Sequence, residues 1–183
     1  MDIAFKIVNV VATAALDQSI DLEILPELFP HIVLYEPTAY PPPAPAYFKS
    51  EDMEGKVSIF PSGKMISVGT RSEERARQEL LLVAKKLERA KLARINTTPK
   101  IENIVATANL SFVLDLEKIS IETGALYEPE QFPGAILRLS FPKHGIKATI
   151  LLFASGKMVC TGLKRSEHLR TISQELLHKI VQL

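Results

Sequence analysis

The sequence predicts an α+β fold built from two like halves about a pseudo-twofold axis, each an antiparallel sheet with helices on one face. Three observations carry this. The chain repeats itself in order, each copy opens on period-two alternation, and each copy closes on a run of helical period. "KIVNVVATAAL" (Lys6–Leu16) returns as "KIENIVATANL" (Lys100–Leu110), 94 residues on. "LYEP" at 34–37 returns at 126–129, and "RSE" at 71–73 returns at 165–167. "SIFPSGKMISVG" (Ser58–Gly69) returns as "LLFASGKMVCTG" (Leu151–Gly162). The spacing drifts between 92 and 94 residues, as small loop indels in a tandem duplication would make it. The expected repeats are 1–94 and 95–183.

The elements follow in the same order in each half. A strand comes first, Phe5–Leu16 and Ile101–Leu110. In the first copy Ile7, Asn9, Val11 and Thr13 share one face, and Val8, Val10, Ala12 and Ala14 the other. A short helix follows, with Asp21 or Asp115 as N-cap; Gly124 stops the second and Pro26 shortens or kinks the first. A turn rich in Pro or Gly leads to strands around a Ser-Gly turn. A long helix ends each half, from Ser72 and from Ser166. Ala76, Leu80, Val83, Ala84 and Leu87 form the apolar stripe of the first; Leu169, Ile172, Leu176, Leu177 and Ile180 form that of the last.

Bulk composition excludes more than it selects. The chain has 183 residues, 22 Lys plus Arg against 21 Asp plus Glu, so net charge names no partner. The single Cys160 precludes an internal disulfide and fits a reducing compartment. The first apolar run is short and lacks a basic region before it, so neither a signal peptide nor a membrane span is expected. His31, His144, His168 and His178 have no metal-ligand spacing, and the Ser-Gly-Lys turn lacks the phosphate-loop pattern. No enzyme, cofactor or metal is expected.

The uncovered sheet face points elsewhere. An ordinary solvated strand carries Lys and Glu. Here the exposed set is Asn9, Val11 and Thr13 in one copy and Asn103, Val105 and Thr107 in the other. Leu151 with Phe153, and Val159 with Thr161, extend it, while Met158 and Cys160 point to the core. A broad uncharged face of this kind marks an interaction site. An Asn between aliphatic neighbours leaves unmet hydrogen-bonding groups unless a polar ligand takes them.

These motifs resemble the TATA-box-binding proteins in their archaeal form. "IENIVATANL", "LYEPEQFPGAILRL" and "LLFASGKMVCTG" carry the resemblance most specifically, with "IVNVVATAAL" and "FPSGKM" in the first copy. It spans essentially the whole chain. It implies a saddle, a curved antiparallel sheet of about ten strands with four helices on the convex face, seated in the minor groove of A/T-rich promoter DNA. This same family is a standard case of minor-groove kinking.

Carried over residue by residue, the resemblance gives Asn9 and Asn103 base-edge hydrogen bonds. Val11, Val105, Leu151, Val159 and Ile66 line the groove floor, with Thr13 and Thr107 beside them and Thr161 donating to a base. Phe132 and Phe153 wedge one end of the site and Phe60 the other. Lys64, Lys157 and Arg138 meet phosphates. Glu128 and Glu130 contact transcription factor B, within an RNA polymerase pre-initiation complex. Whether free chains pair as a homodimer through the apolar face is left open by the sequence. The implied location is intracellular and DNA-associated, in archaeal cytoplasm, or in a nucleus were the source eukaryotic.

The first copy departs from the pattern. Where the second reads "YEPEQFPG", it reads "YEPTAYPPPAPAYF". Tyr40 then stands for the outer Phe, with Tyr47 or Phe48 as alternatives because Pro41, Pro42, Pro43 and Pro45 impose an extended path. Val68 replaces the Thr matching Thr161, Ser58 replaces Leu151, and Ala46 falls where Arg138 does. The second repeat is expected to grip DNA harder. The rival reading is a divergent interaction or regulatory module that has lost DNA binding. The basic run from Arg71 to Arg94 is expected to be a solvated face, or a surface for a regulator or flanking DNA.

Overall fold

The computed structural model describes residues 3–39 and 41–180. It forms two compact units, one of Asn9–Glu102 and one of Met1–Val8 with Asn103–Leu183. Nine strands and four α-helices lie among the described residues, and the strand pairs within each unit are antiparallel, so the α+β class holds.

In the first unit the strand order is β2 (Val33–Leu34), β3 (Ala46–Phe48), β4 (Lys56–Ile59), β5 (Lys64–Thr70), β1 (Lys6–Ala15). Alternation sorts β1 cleanly from Val10 on: Val10, Ala12 and Ala14 are buried, while Asn9, Val11 and Thr13 stay partly open. Val8 was expected in the core and is exposed instead, at 38%. Helix α1 (Leu25–Leu28) is a single turn opened by Pro26, with Ile24 as its cap. Asp21 does not cap it; its carboxylate accepts from the Glu23 N–H in a local turn instead. Helix α2 (Glu73–Arg89) begins where expected, with the Ser72 hydroxyl accepting from Arg75 N at 3.1 Å. Its predicted stripe is buried against β4 and β5.

In the second unit the order is β6 (Lys100–Asn109), β9 (Lys157–Leu163), β8 (Ile146–Phe153), β7 (Gly134–Phe141). Here Asp115 does cap: it accepts from Lys118 N at 2.9 Å and opens α3 (Leu116–Thr123), which ends at Gly124. Helix α4 (His168–Ile180) starts two residues after the expected Ser166, whose carbonyl accepts from Leu169 in a preceding turn. Ile172, Leu176 and Ile180 face the core, and the Ser173 hydroxyl accepts from Ile3 N at 2.9 Å. Among the described residues no helix is long and apolar enough to cross a membrane.

The two cores differ in chemistry at matching positions. Cys160 and Leu163 in β9 correspond to Ser67 and Thr70 in β5, by the shared register to β1 and β6. The Cys160 thiol is buried, and burial pushes its pKa up to about 12, so it acts as a small apolar side chain. Ser67 and Thr70 are fully buried, and neither hydroxyl has a hydrogen-bond partner among the described residues. An unmet buried hydroxyl costs about 1–3 kcal/mol. Thr70→Val keeps the shape and removes that cost, so it is expected to stabilise the chain by about 1 kcal/mol. A urea titration would show a higher midpoint at unchanged slope; a midpoint that falls or stays put would overturn this account.

A second polar feature belongs to the first unit alone. Glu79 on α2 is 1% exposed, and its carboxylate accepts from Glu54 N at 2.6 Å and from Gly55 N at 3.0 Å. Arg75 pairs with the same carboxylate at 3.4 Å. From the other side, the Lys49 ammonium donates to the carbonyls of Met53, Glu54 and Gly55 at 2.8, 2.8 and 2.7 Å. Two charges therefore fold the 49–55 connection inward. The second unit instead spans the matching stretch with strand, since β7 and β8 run eight residues each against three for β3 and four for β4.

Candidate nucleic-acid interface

The uncovered face of each unit is built in rows, because antiparallel partners project to the same side. In the second unit one row is Thr107, Val159, Leu151, Ile136, and the next is Thr161, Thr149, Arg138. In the first unit the matching rows are Thr13, Ile66, Ser58, Tyr47 and then Val68, Lys56. Val11, Val105, Val159, Leu151, Ile66 and Val68 are all half-buried, as apolar groups on an uncovered face should be. Ser58 is nearly buried, at 9%, between Tyr47 and Ile66.

The two Asn are held by a device the sequence reading missed. Between Val10 and Ala12 the register of β1 on β5 slips by one residue, and β6 on β9 slips identically between Ile104 and Ala106. These are β-bulges, and each contains a glycine at positive φ, Gly69 at 95° and Gly162 at 96°. The bulge frees one backbone N–H from the ladder. Asn9 Oδ1 accepts it from Gly69 at 2.7 Å, and Asn103 Oδ1 accepts it from Gly162 at 2.8 Å. Because an N–H donor fixes the oxygen end of each amide, the Nδ2 end is left to donate outward. Asn103 Nδ2 lies 3.1 Å from Thr161 Oγ1. Val68 offers no such hydroxyl to Asn9. The recurring glycine of the two hairpin motifs was the available signal for this lock. Thr13 donates to Glu102 at 3.1 Å.

At the hairpin tips Phe60 and Phe153 occupy the same turn geometry, each carbonyl accepting from the turn glycine at 2.9 Å. Phe132 packs edge-on against Phe153, ring centroids 5.8 Å apart at 63°. Gly134 makes the space: a Cβ there would stand 2.8 Å from the Phe132 ring and 3.2 Å from the Phe153 ring. An open, mainly apolar cleft of about 660 Å³ lies beside Phe153, lined also by Lys6, Thr107, Ser155, Lys157 and Val159. Lys6 joins the expected residues there, and its place in the "KIVN" and "KIEN" repeat motifs was its sequence signal. Lys64, Lys157 and Arg138 are exposed. Glu128 and Glu130 are exposed on the turn that precedes Phe132.

In the first repeat the register corrects three expectations. Ala46 pairs with Ile59 and is fully buried, so it matches Ala135, not Arg138. One residue past Phe48 on the same register, Lys49 takes Arg138's place, but its ammonium is spent on the loop carbonyls. Counting back from the ladder, Pro43 rather than Tyr40 falls at the step of Phe132; Tyr40 itself lies outside the described residues. The cause is three extra residues between "LYEP" and β3, taken up by the proline run. Phe48 is a core residue packed edge-on against Phe29 at 5.4 Å, and Tyr47 stands at the position of Ile136.

In the basic run from Arg71 to Arg94 four of the eight cations are paired: Arg71 with Glu54, Arg75 with Glu79, Arg77 with Glu73 and Arg94 with Glu88. Among the described residues no cluster of three His, Cys, Asp or Glu could hold a metal.

Comparison with known proteins decides the family. The sequence model described as transcription factor TFIID (or TATA-binding protein, TBP) matches residues 4–90 and again 98–183. The chain belongs to the TATA-binding protein family. That family is one of DNA-binding transcription factors, not enzymes. The TATA-box-binding protein of Sulfurisphaera tokodaii is 36% identical over 181 residues, covering 97% of this chain and 87% of the relative. That of Aeropyrum pernix is 38% identical, covering 96% and 83%. The solved TBP of Methanococcus jannaschii superposes with a TM-score of 0.78 at 35% identity, over 98% of this chain and 99% of its own.

Proposed function

We propose that this chain is a general transcription initiation factor that binds the minor groove of A/T-rich promoter DNA, with repeats 1–94 and 95–183 as its two reading halves. The observation that carries this is the pair of bulge-locked amides. The amide oxygens of Asn9 and Asn103 are each held by a backbone N–H, which leaves the amide nitrogens as the donors of the pair. The minor groove presents acceptors on A·T and T·A alike, so fixed donors read A/T content without reading strand order. Apolar Val11, Val105, Leu151, Val159 and Ile66 fill the floor and disfavour the guanine amino group, while Thr13, Thr107 and Thr161 add hydroxyls. Val68 supplies bulk where Thr161 supplies a donor. Phe153 with Phe132, and Phe60, enter base steps and bend the duplex. Lys64, Lys157 and Arg138 neutralise phosphates.

Glu128 and Glu130 meet basic groups of transcription factor B, which brings the RNA polymerase pre-initiation complex. Free chains self-associate through the same apolar face. The site of action is promoter DNA inside the cell, and the relatives named above point to an archaeal one. A mobility-shift assay with a TATA duplex and a G·C-rich duplex, each with and without transcription factor B, tests the reading. Preference for the TATA duplex, strengthened by the factor, is expected. No A/T preference under either condition would make the chain an interaction module that has lost DNA binding.

A further inference from the structure

The cation of the outer row stands on a different strand in each repeat. In the second, the row is Thr161, Thr149, Arg138, and the positive charge sits on β7. In the first, the β3-side position belongs to Lys49, whose ammonium is held by three backbone carbonyls and cannot reach out. One strand inward, where the second repeat has Thr149, the first has Lys56, paired across to Val68. Lys56 is exposed, and its Nζ lies over the Tyr47 ring, 4.2 Å from the centroid. Tyr47 occupies the position of Ile136, so the first repeat has exchanged both an aliphatic and a hydroxyl for an aromatic that holds a cation.

In the first repeat's rows Lys56 stands among Thr13, Ile66, Ser58, Tyr47 and Val68, none of them charged. The ring restrains the ammonium without neutralising it, since a cation over a π face keeps its charge and its hydrogen-bond donors. Among the described residues its contact is that ring, whereas Arg75 and Arg77 of α2 are paired with carboxylates. A restrained, unneutralised cation at the edge of an apolar face fits a phosphate beside a groove rather than a base within it.

We propose that Lys56, held by Tyr47, is a DNA-phosphate contact of the first repeat and takes over there the work that Arg138 does in the second. This rests on the DNA-binding reading above. It makes the first repeat's grip more electrostatic than its missing Thr and Leu would allow.

The test is the salt dependence of binding to a TATA duplex, from 50 to 200 mM salt, for the full chain and for Lys56→Gln, Lys56→Arg, Arg138→Gln and Lys49→Met. Each phosphate contact contributes about 0.9 to the slope of log K against log salt. Lys56→Gln and Arg138→Gln are each expected to lower the slope by about 0.9, and Lys56→Arg to keep it. The loss for Lys56→Gln should be equal on TATA and G·C-rich duplexes, as for a phosphate contact. Lys49→Met should leave the slope unchanged. If Arg138→Gln lowers the slope and Lys56→Gln does not, the assignment of Lys56 falls while the DNA-binding reading stands. A loss for Lys56→Gln confined to the TATA duplex with unchanged slope would also overturn it. If the unaltered chain shows no TATA preference, it is the underlying reading that fails.

Discussion

Phe153→Ala is expected to weaken binding to a TATA duplex on the order of 100-fold, about 3 kcal/mol, and Phe60→Ala to weaken it less. A Phe ring hides roughly 150–250 Å² when it enters a base step, about 4–6 kcal/mol gross at ~25 cal/mol/Å². Opening the step costs a few kcal/mol. A charged side chain could not make up that cost, because it would lose its hydration in the stack. What separates the two phenylalanines is bracing. Phe153 is held edge-on by Phe132 in the space that Gly134 leaves, so little rotamer freedom remains to be lost on insertion. Among the described residues no ring packs on Phe60, and the proline run displaces the residue that would supply one. Equilibrium binding of the two variants decides the matter. An equal loss at both positions, or a larger one at Phe60, would sink the asymmetry.

Glu79→Ala is expected to destabilise the chain by about 3 kcal/mol, and Glu79→Gln by about 1 kcal/mol. The carboxylate satisfies two backbone N–H groups and the Arg75 guanidinium at once. Alanine orphans the buried Gly55 N–H and lets the 49–55 connection loose from α2. Glutamine keeps one acceptor for it. Gly55 has no room to relax inward, since a Cβ there would lie 2.3 Å from the Val68 carbonyl oxygen. Chemical denaturation measures both variants. A loss below 1 kcal/mol for Glu79→Ala would mean that Lys49 alone secures the loop.

Much of this was legible in the sequence, for reasons tied to particular residues. Elements whose signal is periodic or a local cap came through: the β1 and β6 alternation, the α2 stripe, Ser72 and Asp115 as caps. Asp21 failed because Pro26 opens α1 late, leaving the aspartate in a turn of its own. Register across the proline run was not readable, since the spacing between repeats moves from 92 at "LYEP" to 89 at β3 with no motif in between. That slip misassigned Ala46 and hid Lys49. The face itself was legible from its missing charges. The lock on Asn9 and Asn103 was not, because a bulge adds a residue without altering composition. Glu79 was recoverable: it falls three residues after Ala76 and four before Val83, on the buried stripe.

The contrast between Ser67 with Thr70 and Cys160 with Leu163 has a meaning for how this chain can change. Each repeat has tried, in the same architectural setting, a residue the other lacks, so the molecule carries an alignment of itself. The substitutions with the best chance of raising stability are already written in its other half. Chains are held near a threshold, and headroom gained in a core can be spent on a costly surface. A repeat that still carries unmet hydroxyls in its interior has that headroom in reserve. The half that has drifted furthest in its binding face is therefore also the half with the most room left to adapt.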